Sequence, residues 1–435
     1  MSHFLSGVKL PHRKNTAGMS AVCITTPEKV VLSTAMHIGK PSAVTVKVGD
    51  HVDVGTLIAK ESGVVSVPLH STVSGTVKKI DDRILSNGSA AVAVEIESDG
   101  NMTPDPTLKA PEIKSKADLV EAIKNSGIIG LGGAGFPTHV KYNVPDDTVV
   151  DELIINGAEC EPYITSDSVV MTEHGEDILY AVQVITKYIN IKKVIIGVEE
   201  NKPEAIKSMQ AIAAKANNVS VKVLPSIYPQ GGEKVLVYHT TGKIIGEGKL
   251  PISVGCIVSN CTTVASIGNY LKTGMPLVNK TVTVDGGAVK NPQNVVVPIG
   301  TPIKDVFDFC GGFETEPYKI LYGGPMMGIT VPSLDNPVLK NTNALLAITK
   351  KDVKPIKTTN CIRCGACYNH CPFSINPAEI ARAFEKKDDE ALKKIGVNLC
   401  MECGCCSYIC PANRPLVQTN RLAKAYLKKL TEDKK

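Results

Sequence analysis

Hydrophobic and polar residues alternate over short distances in the first part of the chain. Between residues 36 and 97, Val-rich runs such as AVTVKVGDHVDVGTLIAK and GVVSVPLHSTVSGTVKKI are interrupted by glycine turns. A period of two with frequent turn residues is typical of short strands. A linker rich in Pro, Asp and Lys, SDGNMTPDPTLKAPEIKSK, follows them. We therefore predict a small β domain over residues 1–105.

The pattern becomes mixed over residues 112–270. KADLVEAIKNSG has apolar residues at Leu119, Val120 and Ile123, which indicate one face of a helix, and EDILYAVQVITKYIN is a second helical stretch. These stretches alternate with the β-branched runs KKVIIGV and VSVKVLP. Alternating helix and strand signals predict an α/β domain with a largely parallel sheet.

Two further units follow the α/β stretch. Residues 271–340 include NKTVTVDGGAVKNPQNVVVPIGTPIKDVFDFCGG, which predicts strands, a glycine turn and a short helix in a compact α+β unit. Residues 350–435 contain two cysteine-rich segments, a helix predicted over AEIARAFEKKDDEALKKI between them, and a C-terminal helix. The predicted fold class is therefore multidomain, with β, α/β, α+β and helical units in that order.

Length, composition and charge argue against several classes of protein. A chain of 435 residues is too long for one core and fits three or four domains. No apolar run approaches the roughly 18 residues of a membrane span, and no cleavable signal peptide is evident. We therefore expect a cytosolic protein or one attached to a membrane from that side. A formal charge of only +5, 4% aromatic residues and no Trp argue against nucleic-acid binding.

Nine of the fourteen cysteines lie between Cys361 and Cys410, and such clustering in a long chain indicates metal rather than disulfides. CIRCGACYNHCP and CMECGCCSYICP both match the C-x-x-C-x-x-C-x-x-x-C-P run of two-cluster ferredoxins, whose fourth cysteine binds the other cluster. Zinc needs neither a third evenly spaced cysteine nor C-P, and the extra Cys405 fits a packed thiol better than a ligand. The predicted ligands are Cys361, Cys364, Cys367 and Cys410 for one [4Fe-4S] cluster and Cys400, Cys403, Cys406 and Cys371 for the second.

GLGGAGFPTHVKY contains a literal G-x-G-x-x-G at Gly130, Gly132 and Gly135. A Rossmann dinucleotide loop requires a strand before the first glycine and an uninterrupted helix after the last. Here the preceding segment is helical in pattern, and Pro137 prevents a helix from continuing out of the loop. The loop therefore does not fit the Rossmann motif.

The same loop is similar to the G-x-G-G-A-G-F-P-T-G-x-K-W signature of the FMN-binding, NADH-oxidising flavoprotein subunit of respiratory complex I. NGAECEP, YPQGGE and VSNCTT resemble three further motifs of that family, in order. Departures stand at Ala158, Gly232 and His139, where the family has Asp, Glu and Gly. The resemblance implies nicotinamide contact by Phe136 and Glu161. It implies FMN contact by the following residues: Gly130, Gly132, Gly133, Gly135, Lys141, Asn156, Glu159, Tyr228, Gly231 and Asn260.

Almost the whole chain resembles the RnfC family of Rnf electron-transport complexes. VKVGDHVDVG and VSGTV are similar to the barrel-sandwich hybrid of lipoyl carriers, without their carrier lysine, and residues 271–340 resemble the β-grasp module called SLBB. The resemblance implies an ion-transporting ferredoxin:NAD+ oxidoreductase subunit, peripheral on the cytoplasmic face of the cell membrane. Its partners would be NAD(H), membrane-embedded and ferredoxin-type subunits and, indirectly, ferredoxin, with coupling to Na+ or H+ transport.

The implied chemistry is hydride exchange between NADH and FMN, followed by single-electron steps through the clusters, in either direction. It requires no catalytic acid or base, and we predict none. No arginine stands at either motif to receive a 2′-phosphate, which favours NADH over NADPH.

Two alternative functions stay open. One is a soluble RnfC-like cobalamin reductase or electron donor to an amino-acid reductase, and the other is a non-catalytic iron–sulfur electron-transfer adaptor without flavin.

Overall fold

The computed structural model describes residues 5–84, 88–353 and 357–432. Strands and α-helices form most of the regular structure in this part of the chain. The strands are β1 (Ala21–Cys23), β2 (Lys29–Ser33), β3 (Ala43–Val44), β4 (His51–Val52), β5 (Leu57–Lys60), β6 (Leu69–His70), β7 (Gly75–Ile84), β8 (Ala90–Ser98), β9 (Glu152–Gly157), β10 (Lys193–Glu199), β11 (Val219–Leu224), β12 (Cys256–Asn260), β13 (Asn279–Asp285), β14 (Gln293–Pro298), β15 (Lys319–Tyr322), β16 (Ile329–Thr330) and β17 (Ala344–Ile348). The helices are α1 (Lys116–Asn125), α2 (Thr138–Tyr142), α3 (Ser166–Glu173), α4 (Gly175–Ile189), α5 (Pro203–Ala213), α6 (Glu233–Thr241), α7 (Cys261–Thr273), α8 (Ile303–Phe309), α9 (Ala366–Asn369), α10 (Pro377–Glu385), α11 (Asp389–Ile395), α12 (Cys405–Tyr408) and α13 (Leu416–Glu432).

The Val-rich alternation near the beginning of the chain forms two small antiparallel sheets. One has the order β2-β8-β7-β4 and the other β3-β5-β6. Every second residue of a strand points to the same side, so the apolar positions of both sheets can share one core. Val30, Ile58, Val77 and Ile96 lie in that core and are completely buried.

The mixed stretch forms a four-stranded parallel sheet with the order β11-β10-β9-β12. Alternate residues of β9 enter different cores: Leu153 and Ile155 join one hydrophobic cluster, and Ile154 joins another. Both faces of the sheet are therefore covered at β9, which explains why this strand has consecutive apolar residues without polar alternation. The predicted helices KADLVEAIKNSG and EDILYAVQVITKYIN are α1 and α4.

A six-stranded sheet has the order β1-β14-β13-β17-β15-β16. Its core contains Val282, Val295 and Phe307, the last from α8, so the strands, turn and short helix predicted here are present. Two strands come from outside residues 271–340: β1 pairs in parallel with β14, and β17 pairs in parallel with β13. The N-terminal segment therefore crosses the molecule to complete this sheet.

The single helix predicted over AEIARAFEKKDDEALKKI is wrong. The structure has α10 and α11, separated at Lys387, whose φ of 55° is left-handed and ends the first helix. The Asp388 side chain then accepts a hydrogen bond from the backbone N–H of Ala391 at 3.0 Å. This N-cap starts a new helix, although apolar spacing continues through the break.

Candidate functional site

The carboxyl ends of β9 and β12 define the centre of the site. Along the chain, β10 and β11 add to one side of β9, and β12 then pairs with its other side. The strand order thus reverses between β9 and β12, and ligands of open parallel sheets bind at such a switch point. Asn156 is the last but one residue of β9 and Asn260 is the last residue of β12, and the two stand directly opposite each other in the register.

The glycine loop lies beside this switch point. Its ends are joined by a hydrogen bond from the Gly130 N–H to the Phe136 carbonyl oxygen, 2.8 Å long. A Cβ atom at Gly132 would lie 2.5 Å from the Asn260 Nδ2, so only glycine allows this approach. Gly133 is exposed, and a Cβ atom there would meet nothing within 4 Å. The loop therefore presents open backbone, which fits a phosphate or a flat cofactor ring.

Gly135 and Lys141 complete the loop. Gly135 has a φ of +73°, a conformation that L side chains rarely adopt. Pro137 precedes the short helix α2, which carries Lys141. The Lys141 ammonium donates to the Val258 carbonyl oxygen on β12 at 2.7 Å and lies 3.5 Å from the Glu233 carboxylate. A partly exposed cation thus stands next to the switch point, where an anionic ligand group would be stabilised.

A hydrogen bond from a side chain to the backbone joins the NGAECEP and YPQGGE motifs. The Asn156 Nδ2 donates to the Gly231 carbonyl oxygen at 2.9 Å, and the Asn156 Oδ1 accepts from the Ala158 N–H at 3.1 Å. A Cβ atom at Gly231 would lie 2.4 Å from the Ala158 carbonyl oxygen, so this position also requires glycine. On the opposite strand, Asn260 caps α7 and donates to the Asp167 carboxylate at 2.7 Å.

Glu159 is a buried carboxyl group with one free oxygen. Its Oε1 accepts from the Asp167 N–H at 2.8 Å, while its Oε2 has no hydrogen-bond partner in the described part of the chain. Burial raises the pKa of this carboxyl above its ordinary value. Buried polar atoms are normally paired, so an open oxygen beside the switch point fits a site that binds a polar ligand.

Lys14 and Lys202 hold the loop that follows β9. Both ammonium groups donate to the Glu159 carbonyl oxygen, at 3.1 and 3.0 Å, and Lys14 also donates to the Glu161 carbonyl oxygen at 3.0 Å. Burial is the main cause that lowers the pKa of Lys14. The N-terminal segment therefore fixes the backbone on which both glutamates stand, and no local motif around Lys14 indicated this role.

Glu161 faces the loop that follows β15. Its two carboxylate oxygens accept from the backbone N–H groups of Met326 and Met327 at 3.0 and 2.8 Å. A Cβ atom at Gly324 would lie 2.3 Å from one of these oxygens. Burial raises the pKa of Glu161 to about 7, against the opposing effect of the two N–H donors. The sequence-based interpretation as a nicotinamide contact did not anticipate this bond to the six-stranded sheet unit.

Tyr228 connects the α/β domain to the second cysteine motif. Its hydroxyl donates to the Cys403 carbonyl oxygen at 2.6 Å, and the Cys405 thiol lies 3.8 Å from the Tyr228 carbonyl oxygen. Its backbone N–H and carbonyl both pair with Val8. The sequence suggested a flavin contact at Tyr228, and the structure places its hydroxyl on a cysteine loop instead of leaving it free.

The cysteines of the two motifs meet in a crossed arrangement. One cavity is lined by Cys371, Cys400, Cys403, Cys405 and Cys406. We call the four of them that stand at the ligand positions of the motifs, Cys371, Cys400, Cys403 and Cys406, the inner cysteine group. A second cavity is lined by Cys361, Cys364, Cys367 and Cys410, the outer cysteine group. In each group three cysteines come from one motif and the fourth from the other. Four thiols around a cavity suit a [4Fe-4S] cluster, for which thiolates are the usual ligands.

The two cysteine motifs have the same backbone conformation. Positive φ angles recur at equivalent positions of both: Arg363 (57°) and Glu402 (61°), Gly365 (75°) and Gly404 (83°), Ser374 (51°) and Asn413 (50°). A single-turn helix, α9 or α12, follows the glycine in each case. The motifs are therefore one structural unit used twice.

The environments of the two groups differ. Cys361 and Cys364 are exposed, whereas Cys371, Cys403 and Cys406 are buried. The inner group packs against the α/β domain, because a Cβ atom at Gly232 would lie 2.3 Å from the Met401 Cε. Together with the bond from Tyr228 to Cys403, this contact puts the inner group beside the YPQGGE motif and leaves the outer group facing solvent.

Four family profiles match the chain. They are the RnfC barrel sandwich hybrid domain over residues 2–101, the Nuo51 FMN-binding domain over 123–269, the SLBB domain over 281–330 and a 4Fe-4S dicluster domain over 357–414. These matches confirm the predicted fold class and the FMN and [4Fe-4S] cofactor classes. No helix in the described ranges has the length and apolar character to cross a membrane.

Curated relatives cover nearly the whole chain. The RnfC-type component of the Na+-translocating ferredoxin:NAD+ oxidoreductase complex of Acetobacterium woodii is 41% identical over 97% of this chain and 96% of its own. Its counterpart in the proton-translocating complex of Clostridium ljungdahlii is 41% identical over 85% and 81%. The corresponding component of the ion-translocating oxidoreductase complex of Rhodobacter capsulatus is 37% identical over 96% and 81%. This chain therefore belongs to the RnfC family of ion-translocating oxidoreductase complexes.

Proposed function

We propose that the chain exchanges electrons between NAD(H) and ferredoxin within an Rnf complex whose other subunits couple the reaction to Na+ or H+ transport. The observation that carries this proposal is the packing of the inner cysteine group against the YPQGGE motif of the α/β domain. One chain thus joins a two-electron site to a pair of one-electron centres. Family membership and the FMN and dicluster profiles support the same function.

Bound FMN would supply the exchange between electron pairs on the nicotinamide and single electrons on the clusters. The chain contributes binding and orientation. We propose that the open glycine loop and Lys141 hold the phosphate end of the flavin, and that Phe136 and Glu161 lie nearest the nicotinamide. The remaining proposed FMN contacts are Asn156, Glu159, Tyr228, Gly231 and Asn260, which all lie on the loops and strand ends at the switch point.

We propose that the inner group binds the cluster nearer the flavin and the outer group binds the more distant cluster. Tyr228 and Met401 bring the inner group against the α/β domain, while Cys361 and Cys364 are exposed at the other end. The order of transfer is then flavin site, inner cluster, outer cluster and partner, or the reverse.

The surface around the outer group fits a protein partner. Ile362 is 67% exposed and Tyr368 is 45% exposed beside the exposed thiols, and Arg363 is also exposed. Apolar side chains with arginine at their rim are typical of protein contacts. We propose that a ferredoxin-type subunit with an acidic surface docks here. With the membrane-embedded subunits as further partners, the chain would lie on the cytoplasmic side of the membrane.

We propose four units, supported by the order of the family profiles. They are the barrel-sandwich hybrid within residues 1–105, the FMN and NADH domain within 112–270, the SLBB module within 271–340 and the dicluster domain within 350–435. Strand β1 belongs to the first range by sequence and to the sheet of the third by pairing. We therefore propose that the first and third units move as one body.

Cofactor analysis and rapid mixing test the function. Anaerobically purified protein should contain about eight irons and one non-covalent FMN, and NADH should bleach the flavin faster than NADPH. Protein with iron but without flavin would instead be an electron adaptor, and zinc in place of iron would overturn the redox function.

A further inference from the structure

Helix α13 presents a buried amide to the inner cysteine group. Asn420 is 1% exposed, and its Nδ2 lies 3.4 Å from the Cys400 Sγ. One turn later, the Lys424 ammonium donates to the Cys400 carbonyl oxygen at 2.9 Å and to the Glu402 carboxylate at 2.6 Å. The helix thus fixes the loop of Cys400 through Lys424 and directs an N–H group to its sulfur through Asn420.

The chemistry of the amide determines which end can face the sulfur. A thiolate only accepts hydrogen bonds, so the N–H end of Asn420 suits it and the carbonyl end would repel it. The Asn420 Oδ1 is buried and has no partner among the described residues. Leaving such an atom unpaired is destabilising, because it loses its hydrogen bonds to water. Packing alone therefore does not explain why an asparagine occupies this position.

The structural repeat provides an internal comparison. Asn420 follows Cys410 by ten residues, and the residue that follows Cys371 by ten is Ala381. Ala381 is also buried and packs in a cluster with Cys406 and Leu416. A methyl group has no N–H to donate. The second cysteine motif is therefore followed by a side chain with an N–H donor at this position, and the first cysteine motif is not.

We propose that Asn420 is a positioning residue that raises the reduction potential of the inner cluster by an N–H···S hydrogen bond to Cys400. The inference rests on the proposed function, because it takes the inner group as a cluster site. Reduction adds one electron to the cluster and increases the negative charge on its sulfur ligands. A hydrogen bond to sulfur stabilises the reduced form more than the oxidised form, which moves the potential upward.

Redox titration followed by electron paramagnetic resonance tests this proposal on the anaerobic holoprotein. Asn420→Ala removes the donor, and Asn420→Leu removes it while keeping most of the side-chain volume. Gln418→Ala is the matched control, because Gln418 is exposed on the same helix. The inner signal is assigned from Cys410→Ala, in which the outer group lacks one ligand.

Both Asn420 variants should shift the inner cluster to a more negative potential and leave the outer cluster unchanged, while Gln418→Ala should shift neither. Unchanged potentials in variants with full iron content would overturn the proposal. Loss of the inner cluster in both variants would also overturn it, because Asn420 would then be needed for assembly only. Wild-type protein without two clusters would instead contradict the proposed function itself.

Discussion

Gly132 and Gly133 are neighbours in the open loop but differ in what surrounds them. A Cβ atom at Gly132 would lie 2.5 Å from the Asn260 amide, whereas one at Gly133 would meet nothing within 4 Å. Gly132→Ala should therefore push the loop from the switch point and weaken FMN binding by about tenfold, equivalent to about 1.4 kcal/mol. Flavin fluorescence during titration of the apoprotein measures this loss.

Gly246→Ala is the matched control for that substitution. It adds the same methyl group at an exposed glycine outside the glycine loop, where a Cβ atom would make only ordinary contact with the Lys249 Cγ at 3.7 Å, so FMN affinity should stay near the wild-type value. Wild-type FMN affinity in Gly132→Ala would show that Asn260 and the loop can separate without consequence.

Glu161 gives the stability of the protein a dependence on pH. Its pKa is raised to about 7 in the folded chain, so the folded state favours the protonated carboxyl. The stabilising effect of protonation is complete below the ordinary pKa of 4.5 and is lost as pH rises through about 7. Between pH 5.5 and 8, the wild type should therefore lose stability relative to Glu161→Gln, by about 2 kcal/mol.

Urea unfolding at several pH values measures this difference. The Gln side chain cannot ionise, so the gap between the two proteins should change with pH even if the variant begins with a lower stability. Parallel curves across the range would show that the Glu161 carboxyl is already ionised when folded.

At the residue scale, the sequence could indicate which residues belong to the site but not what they contact. Glu161 and Tyr228 stand in motifs that resemble a flavoprotein, yet their hydrogen-bond partners are Met326, Met327 and Cys403, more than a hundred residues away. Local spacing contains no information about such distant pairs. The cysteine motifs are different, because the spacing of their ligands is itself local.

At the element scale, long periodic segments were predictable and short or interrupted ones were not. The helices α1 and α4 follow from apolar spacing over ten or more residues, and strands β10 and β11 follow from the β-branched runs KKVIIGV and VSVKVLP. Strand β1 has only three residues and no period of its own, and it exists because β14 offers a free edge. The break at Lys387 escaped the same reasoning, because a capping aspartate can interrupt a helix without disturbing the apolar pattern.

The crossed cysteine arrangement makes a prediction about these elements. Cys371 belongs to the first motif but lines the inner cavity with Cys400, Cys403 and Cys406. Cys371→Ala should therefore remove the inner cluster, and Cys410→Ala should remove the outer one. Iron should fall from about eight to about four in each variant. If each substitution removed the cluster of its own motif, the crossed assignment would be wrong.

At the scale of the whole molecule, the order of modules was visible in the sequence, and their packing was not. Four successive patterns predicted the β, α/β, α+β and dicluster units, and the family profiles match in that order. The contacts of Lys14 with the loop after β9 and of Met401 with Gly232 arise only in the folded chain. The contact of Met401 with Gly232 is one reason for proposing that the inner cluster lies nearer the flavin.

In the proposed order, the inner cluster lies between the flavin and the outer cluster, and transfer of electrons to NAD+ in a single turnover tests this order. Protein reduced with a stoichiometric low-potential reductant is mixed with NAD+, and the remaining cluster signal is followed by freeze-quench electron paramagnetic resonance. In Cys410→Ala the inner cluster should reoxidise as fast as in the wild type, because it lies next to the flavin site. In Cys371→Ala the outer cluster should stay reduced on that time scale. Rapid reoxidation of the outer cluster in Cys371→Ala, together with an inner cluster that stays reduced in Cys410→Ala, would show that the outer cluster lies nearer the flavin.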